Sequence, residues 1–171
     1  MQVSNRKIGL RFIRVRAKRR VGRTSTLIRA EQGEKTLLII KPDAVMRNLI
    51  GEILHRVEVS QFKIKAMKMV FLNEEDARKF YAVHQKKPFY EPLVRYMSSG
   101  PSLVALLERE NAVNALRELV GKTNPKEASL GTIRRDYGLD KRRNSVHASD
   151  SPQTATQEIA FFFDKSDYAD S

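Results

Sequence analysis

Runs of apolar residues predict four β-strands along the chain. Residues 36–40 form a compact, β-branched run that ends at Pro42, which is typical of a buried strand. Ser102–Leu107 is continuously apolar and predicts a central strand, and Ile159–Phe163 predicts a last one. Residues 62–71 alternate at first between apolar and lysine positions, which predicts a half-exposed strand. One face of that strand is expected to carry Phe62, Ile64 and Ala66.

Helical spacing of apolar residues fills the intervals between these strands. Three helix N-caps are expected: Asn73, which three acidic residues follow, Asn111, and Ser151, which precedes Pro152. Gly121 is expected to end a helix. Helices are therefore predicted over residues 45–60, 73–81, 89–97, 111–121 and from residue 151 onward.

The order of elements is strand, helix, strand, helix pair, strand, helix, long loop, short helix, strand. This order predicts an α+β fold, a ferredoxin-like βαββαβ sandwich whose four-stranded antiparallel sheet is covered by helices. Residues 121–146 show almost no apolar periodicity. A loop of that length inside a compact domain is usually functional or disordered.

Composition excludes several kinds of chemistry. The 171 residues include no cysteine, which removes disulfides, cysteine-ligated zinc, iron–sulfur clusters and cysteine nucleophiles. Three histidines without cysteine also make a protein-only zinc cage unfavourable. No run approaches the ~18 apolar residues that a membrane-spanning helix needs.

The net charge of +12 is concentrated near the N-terminus, because residues 1–34 hold ten basic and two acidic residues. The chain is therefore divided into a basic extension (1–33), a folded domain (34–165) and a short tail (166–171). The extension is open to three interpretations: an organelle transit peptide, a basic arm for nucleic acid or an acidic membrane, or a segment without a fold of its own. A cytoplasmic location is expected, with a mitochondrion or plastid as the alternative.

Basic and hydroxyl side chains collect in three separated stretches. Lys41 directly follows the first strand, and Thr123 lies between Arg117 and Arg134. Guanidinium groups suit phosphate because their planar donors match two oxygens at once. Each stretch alone is more often a solvated charge or a basic surface loop.

His147 lies where the long loop ends, with Ser149 two residues on and Glu158 eleven residues on. A neutral imidazole is a good nucleophile near pH 7, and a carboxylate can fix its tautomer. The alternative is a polar loop histidine, which is how His55 and His84 are interpreted. No Walker loop, kinase glycine-rich loop or close carboxylate pair is present.

Taken together, residues 34–163 closely resemble nucleoside diphosphate kinases. The resemblance implies a ping-pong kinase in which a nucleoside triphosphate, usually ATP, phosphorylates His147 and a second nucleoside diphosphate removes the phosphate. It also implies a Mg²⁺ ion held mainly by nucleotide phosphates, and a homo-oligomer, with a hexamer favoured over a tetramer. The matching stretches are Thr36–Asp43, Arg47–Gly51, Pro88–Phe89, Ser99–Pro101, Thr123–Pro125, Gly131–Arg134, Asn144–Ser151 and Glu158–Phe163.

The resemblance assigns nucleotide contacts to five residues. Ribose contacts correspond to Lys41 and Asn144, and Lys41 is also counted as catalytic. Phosphate contacts correspond to Arg117, Thr123 and Arg134. Phosphoryl transfer needs positioning and charge neutralisation more than covalent work by the protein, which suits this cationic set.

The resemblance assigns the remaining roles around the histidine and the base. Tyr81 corresponds to the tyrosine beside the active histidine, and Glu158 and Ser149 to the groups that hold it. Phe89 corresponds to the aromatic that stacks on the base, which tolerates every base because all present a π-face.

Two departures from the family pattern bear on the site. Ala148 stands where glycine is usual, and a positive φ there would cost about 1 kcal/mol. Lys141 falls where an apolar residue often faces Phe89, so one side of the stack is expected to be a lysine stem.

Two other hypotheses are a nucleic-acid-binding module, chiefly through the N-terminal arm, and a catalytically silent scaffold. The first is disfavoured because Phe161–Phe163 is continuous, and the second because every matched catalytic position is filled.

Overall fold

The computed structural model describes residues 33–168, so residues 1–32 and 169–171 of the predicted extension and tail lie outside it. The described chain contains four strands, seven α-helices and three short 3₁₀ turns. The strands are β1 (Glu34–Ile40), β2 (Lys63–Val70), β3 (Ser102–Arg109) and β4 (Val146–Ala148). The helices are α1 (Pro42–Met46), α2 (Ile50–Val59), α3 (Glu74–Phe80), α4 (Tyr90–Met97), α5 (Ala112–Val120), α6 (Ile133–Tyr137) and α7 (Pro152–Phe162).

The strands form one antiparallel sheet in the order β2-β3-β1-β4, which confirms the predicted α+β sandwich. The central strands β1 and β3 pair over seven residues, from Glu34 opposite Arg109 to Ile40 opposite Leu103. Side chains alternate across a strand, so one sheet face carries Leu37 and Ile39 and the other carries Leu38 and Ile40. Helices cover both faces and give the domain two apolar cores.

The prediction of a last strand at Ile159–Phe163 is wrong, because these residues end helix α7. Ser151 caps that helix as predicted, with its Oγ accepting the Thr154 N–H at 3.1 Å. Its buried residues Ala155, Ile159 and Phe162 recur at helical spacing, so the apolar run is one side of a helix. The fourth strand is instead the three-residue β4, inside the segment interpreted as the end of the long loop.

Three smaller expectations also change. A register irregularity between Ile64 and Ala66 turns Ala66 to the opposite sheet face from Phe62 and Ile64, because a bulge shifts the alternation. The helix predicted over residues 45–60 is two helices, α1 and α2, separated at Asn48, whose φ is 60°. Asn111 makes no capping bond, and the Glu34 carboxylate accepts the Val113 N–H instead at 3.0 Å.

Candidate active site

The predicted site residues converge on one cavity of about 840 Å³, a size within the usual range for ligand pockets. Of the ten predicted residues, all but Ser149 line it, and Ser149 is fully buried beside it. Strand ends, helix α5, helix α6 and the loop before β4 each supply part of the wall. The residues that line the cavity are Lys41, Tyr81, Phe89, Arg117, Thr123, Arg134, Asn144, His147 and Glu158.

His147 is held in the sheet by its backbone and oriented by a carboxylate through its ring. Its strand, β4, pairs with β1 so that His147 lies opposite Ile39. The Nε2 atom lies 2.9 Å from Glu158 Oε1, and the ring is about one-fifth exposed. A carboxylate at Nε2 favours the tautomer that carries its proton there, which leaves the lone pair on Nδ1.

Ser149 fixes Glu158 in turn. Its hydroxyl donates to Glu158 Oε2 at 2.6 Å and accepts the Leu37 N–H at 3.2 Å. The serine therefore links the carboxylate to the backbone of the central strand β1. The orientation of His147 rests on an unbroken chain of hydrogen bonds into the sheet.

Two aromatic rings pack edge-on against the imidazole. The Phe80 and Tyr81 ring centroids lie 5.5 Å and 6.1 Å from that of His147. The Tyr81 hydroxyl is buried and has no hydrogen-bond partner within the described part of the chain. Burial, reinforced by the Glu158 charge, raises the pKa of Tyr81, so the phenol stays neutral and keeps a free donor beside the cavity.

Lys41 lies at the end of β1 with its ammonium group enclosed. Nζ donates to the Arg142 carbonyl and to Asn144 Oδ1, both at 2.8 Å. Burial, with a further contribution from the Arg134 charge, lowers the pKa of Lys41 to about 7. An incoming phosphate would favour the charged form of this group.

Arg134 joins two walls of the cavity. Its two terminal nitrogens donate to the carbonyls of Gly121 and Val146 at 2.8 Å and 3.0 Å, while its buried Nε has no partner within the described residues. Burial and the nearby Arg117 charge lower the pKa of Arg134 to about 10. Both guanidinium groups line the same cavity, where they can act on a bound anion.

Asn144 ties the cationic walls together, and Phe89 lies apart from them. The Asn144 amide donates to the carbonyls of Thr123 and Lys141 at 3.0 Å and 3.2 Å, while its oxygen accepts from Lys41. Phe89 is 47% exposed, which suits a stacking platform for a planar ligand.

The structure also tests the two departures. Ala148 lies in the extended strand β4 and is not among the described residues with positive φ, so the expected backbone strain is absent. Ser145 carries the left-handed turn instead, with φ of 70°. Lys141 lines the same cavity as Phe89, and the stacking role of its stem stays a prediction.

Several residues in the cavity wall or packed against His147 escaped prediction. Phe80, which contacts the His147 ring, sits in an ordinary helical pattern that gives no hint of a site. His84, interpreted as a polar surface residue, lines the cavity with its ring centroid 5.5 Å from that of Phe89. Lys122 and Asp150 line it as well. Loop charges of this kind cannot be separated from solvated ones before the fold is known.

The donor set of the cavity does not form a metal cage. Within residues 33–168 no group of three or more histidine or acidic side chains is arranged to hold a metal ion. Of the carboxylates that line the cavity, Glu158 is already engaged by His147 and Ser149. The cationic walls suit the oxygens of a metal-bearing polyphosphate.

Among the described helices, none is long and apolar enough to cross a membrane.

The α+β sandwich and its cationic cavity around an oriented histidine define a phosphotransferase acting on phosphorylated substrates. A family model described as nucleoside diphosphate kinase matches residues 34–168. A nucleoside diphosphate kinase of Desulfatibacillum aliphaticivorans is 58% identical over 130 residues, which span 76% of this chain and 94% of that protein.

Two solved structures agree with this match. The nucleoside diphosphate kinase of Aquifex aeolicus superposes with a TM-score of 0.78 at 44% identity, over 79% of this chain and 98% of that one. The halophilic enzyme of Halobacterium salinarum, solved in complex with CDP, superposes with a TM-score of 0.79 at 39% identity, over 81% and 93%. The chain belongs to the nucleoside diphosphate kinase family. It transfers the terminal phosphate of a nucleoside triphosphate to a nucleoside diphosphate, and like its family it needs a divalent cation.

Proposed function

We propose that His147 is the residue that carries the phosphoryl group between the two nucleotides. The observation that supports this most is the 2.9 Å contact between His147 Nε2 and Glu158, inside a cavity lined by Lys41, Arg117 and Arg134. A carboxylate behind the imidazole and cations around it are what a phosphohistidine intermediate requires.

In the first half-reaction the Nδ1 lone pair forms a bond to the terminal phosphorus of the nucleoside triphosphate. The bond from phosphorus to the bridging oxygen breaks, and the nucleoside diphosphate leaves with that electron pair. The ring, which keeps its proton on Nε2, becomes cationic and is stabilised by Glu158. In the second half-reaction a terminal oxygen of another nucleoside diphosphate attacks the phosphorus and restores the lone pair.

The surrounding residues bind and neutralise the phosphate chain. Arg117, Thr123 and Arg134 contact phosphate oxygens, and Arg134 is already held by two backbone carbonyls that fix its direction. Lys41 and Asn144 contact the ribose, and their mutual hydrogen bond keeps both in place before the nucleotide arrives. A site organised in advance loses little entropy when the reacting groups meet.

Two further assignments complete the site. Tyr81 supplies a neutral hydroxyl beside His147, whose donor has no partner within the described residues. Phe89 stacks on the base at the cavity entrance, and stacking accepts every base. The CDP bound to the Halobacterium salinarum relative agrees with a site for nucleoside diphosphates.

The divalent cation is Mg²⁺, carried on the nucleotide phosphates. The lack of a carboxylate cage within residues 33–168 supports coordination by phosphate and water. When bound, the ion neutralises part of the charge on the transferred phosphoryl group.

The decisive experiment uses ATP labelled in its terminal phosphate. Wild-type protein should retain label that survives alkali and is lost in acid, as a phosphohistidine does. His147→Ala should retain none, whereas the matched control His55→Ala, an exposed histidine on α2, should label normally. Alkali-stable label on His147→Ala would contradict the assignment.

We also propose a homo-oligomer, a hexamer in preference to a tetramer. Strand β2 lies at the edge of the sheet, and three exposed apolar side chains lie on it or directly after it: Met67, Met69 and Phe71. An edge strand that is unpaired within residues 33–168 favours association with a second copy. Light scattering of the full chain should give the mass of six or four copies, and a monomer would contradict the proposal.

The remaining assignments concern the ends of the chain. We propose a basic extension over residues 1–33, a kinase domain over 34–165 and a tail over 166–171, in a cytoplasmic protein. Sequencing the mature N-terminus from cells tests this, since removal of about the first 30 residues would indicate import into a mitochondrion or plastid. Nucleic acid binding, if present, should be salt-sensitive and lost on deletion of residues 1–30.

A further inference from the structure

A buried carboxylate outside the predicted site connects two of its segments. The Asp43 side chain is 3% exposed and has hydrogen-bonding partners on three elements. Oδ1 accepts the Tyr96 hydroxyl from helix α4, and Oδ2 accepts from Arg47 at 2.8 Å. The Ser145 hydroxyl lies 3.1 Å from Arg47 and 3.4 Å from the same carboxylate oxygen. The network therefore joins α1, α4 and the loop before β4.

This network meets Lys41 from two sides. The Lys41 backbone N–H donates to the Ser145 carbonyl at 2.9 Å, and Lys41 Nζ lies 5.3 Å from the centroid of the Tyr96 ring. A cation over an aromatic face is stabilised by the ring quadrupole. Tyr96 thus supports the ammonium group with its ring while its hydroxyl holds Asp43.

The same network holds the residues that lead to His147. Ser145 adopts its left-handed backbone between Asn144, whose oxygen accepts from Lys41, and Val146, the first residue of β4. A left-handed conformation at a non-glycine residue persists only where its surroundings enforce it. The Asp43 and Arg47 side chains supply that enforcement.

We propose that Tyr96 and Asp43 are positioning residues that hold Lys41, and the segment from Asn144 to His147, in the geometry that nucleotide transfer requires. The inference rests on the nucleotide-binding role proposed for Lys41 and adds two residues that do not line the cavity. Tyr96 acts through its hydroxyl and ring, and Asp43 acts through its charge.

Charge gives Asp43 a second effect on Lys41. Burial and the charges of Arg134 and Arg142 lower the pKa of Lys41, whereas the charges of Asp43 and Asp140 raise it. The Tyr96 phenol adds no charge, since burial and its bond to Asp43 raise its own pKa. Asp43 is the carboxylate that also holds the segment in place, so its charge helps to keep Lys41 protonated.

The first test compares two tyrosines of the same helix. Tyr96→Phe removes the hydroxyl that bonds to the Asp43 carboxylate and keeps the ring. The control Tyr90→Phe likewise keeps its ring and removes a hydroxyl that donates to the Arg78 carbonyl at 3.0 Å, away from the cavity. Both variants should lose thermal stability, and Tyr96→Phe should lose more because its hydroxyl bonds to a carboxylate. Only Tyr96→Phe should lose activity, with kcat/KM lower by about three- to tenfold, as expected for one misplaced hydrogen bond. A kcat/KM equal to that of Tyr90→Phe would overturn the proposal.

The second test uses the pH profile of kcat/KM, which reports groups of the free enzyme. Asp43→Asn removes the charge that raises the pKa of Lys41, so the alkaline limb should move to lower pH by about one unit. Tyr96→Phe keeps that charge and should leave the limb in place. A purely structural role of Asp43 would lower the profile equally at every pH, which would contradict the charge effect. If Asp43→Asn does not fold, the tyrosine pair decides.

Lys41→Met separates this inference from the proposed function. If Lys41→Met keeps wild-type activity, the role of Lys41 is wrong and the inference falls with it. If Lys41→Met loses activity while Tyr96→Phe matches Tyr90→Phe and Asp43→Asn keeps the wild-type limb, Lys41 is confirmed and the positioning inference alone is refuted.

Discussion

The inner wall of the cavity and its mouth carry the same charge but are built differently. We define the inner wall as Lys41, Arg134 and Asn144, whose side chains all bond to backbone carbonyls of neighbouring segments. Asn144 is only 2% exposed, and burial lowers the pKa values of both cations. The inner wall is fixed before any nucleotide binds.

The mouth consists of Lys122, Lys141 and Phe89, which are exposed. The two lysine side chains make no hydrogen bond or ion pair with another residue in the described part of the chain. Exposed charges of this kind act through a screened field and adopt many rotamers. The mouth therefore attracts polyphosphate without fixing its position, whereas the inner wall fixes it.

Charge alone therefore does not determine how much each cation of the site contributes. A buried cation held by carbonyls transmits its full effect to a bound phosphate, and an exposed one loses most of it to water and salt. Substitutions in the inner wall should therefore be far more damaging than substitutions in the mouth.

The largest effect is expected for Lys41→Met. Removing the ammonium leaves Asn144 Oδ1 without its donor and deprives the nucleotide of a fixed charge, so kcat/KM should fall by about a hundredfold. Steady-state kinetics with ATP and a second nucleoside diphosphate measure this. A fall of less than about threefold would put Lys41 in the same class as the mouth.

The pH dependence of stability provides a second contrast. Lys41 has a pKa of about 7 in the folded protein and an ordinary value near 10.5 when unfolded. Between these values the unfolded chain binds more protons, so this group makes the free energy of unfolding rise with pH, by up to about 1.4 kcal/mol per unit. Denaturant titrations from pH 7 to 10 should show that slope reduced in Lys41→Met. Equal slopes in the two proteins would contradict the buried state of Lys41.

A smaller effect is expected for Phe89→Ala at the mouth. Loss of one stacking face should raise the KM for every nucleoside diphosphate by about tenfold and change kcat less, because stacking contributes to binding of any base. Measurements with purine and pyrimidine diphosphates check this. An effect confined to one base would show that Phe89 selects between bases instead of holding all of them.

The smallest effect is expected for the double substitution Lys122→Gln and Lys141→Gln. Weaker attraction should lower kcat/KM about two- to threefold at low ionic strength, and the difference should vanish as salt is added. Stopped-flow nucleotide binding across a salt series measures it. A loss that persists at high salt would place these lysines with the inner wall.

The central strands and most helices were predictable because their buried positions carry apolar residues in continuous runs or at helical spacing along the sequence. Leu37–Ile40 of β1 and Leu103–Leu107 of β3 are continuously apolar and buried. Asn73 caps α3 as expected, and its Oδ1 accepts the Asp76 N–H at 2.8 Å. Nine of the residues that line the cavity were predictable through family resemblance. Their separation along the chain means that spacing alone could not have brought them together.

The errors have local physical causes. Ile159–Phe163 is too short for its periodicity to separate a strand from the last turns of a helix, and tertiary packing decides between them. Strand β4 has only three residues and no apolar run of its own. Asp43 and Tyr96 gave no indication of their contact because 53 residues separate them.

Because β4 is only three residues long, the segment around it should tolerate neither insertions nor deletions. Val146 packs into one core and His147 lies on the opposite face of the sheet, opposite Ile39. Adding or deleting one residue just before this strand would turn each of its side chains to the opposite face of the sheet. The His147 imidazole would then be buried in the hydrophobic core that now holds Val146. Length changes should therefore be excluded from this segment, so related sequences should keep the same number of residues between Asn144 and Ala148.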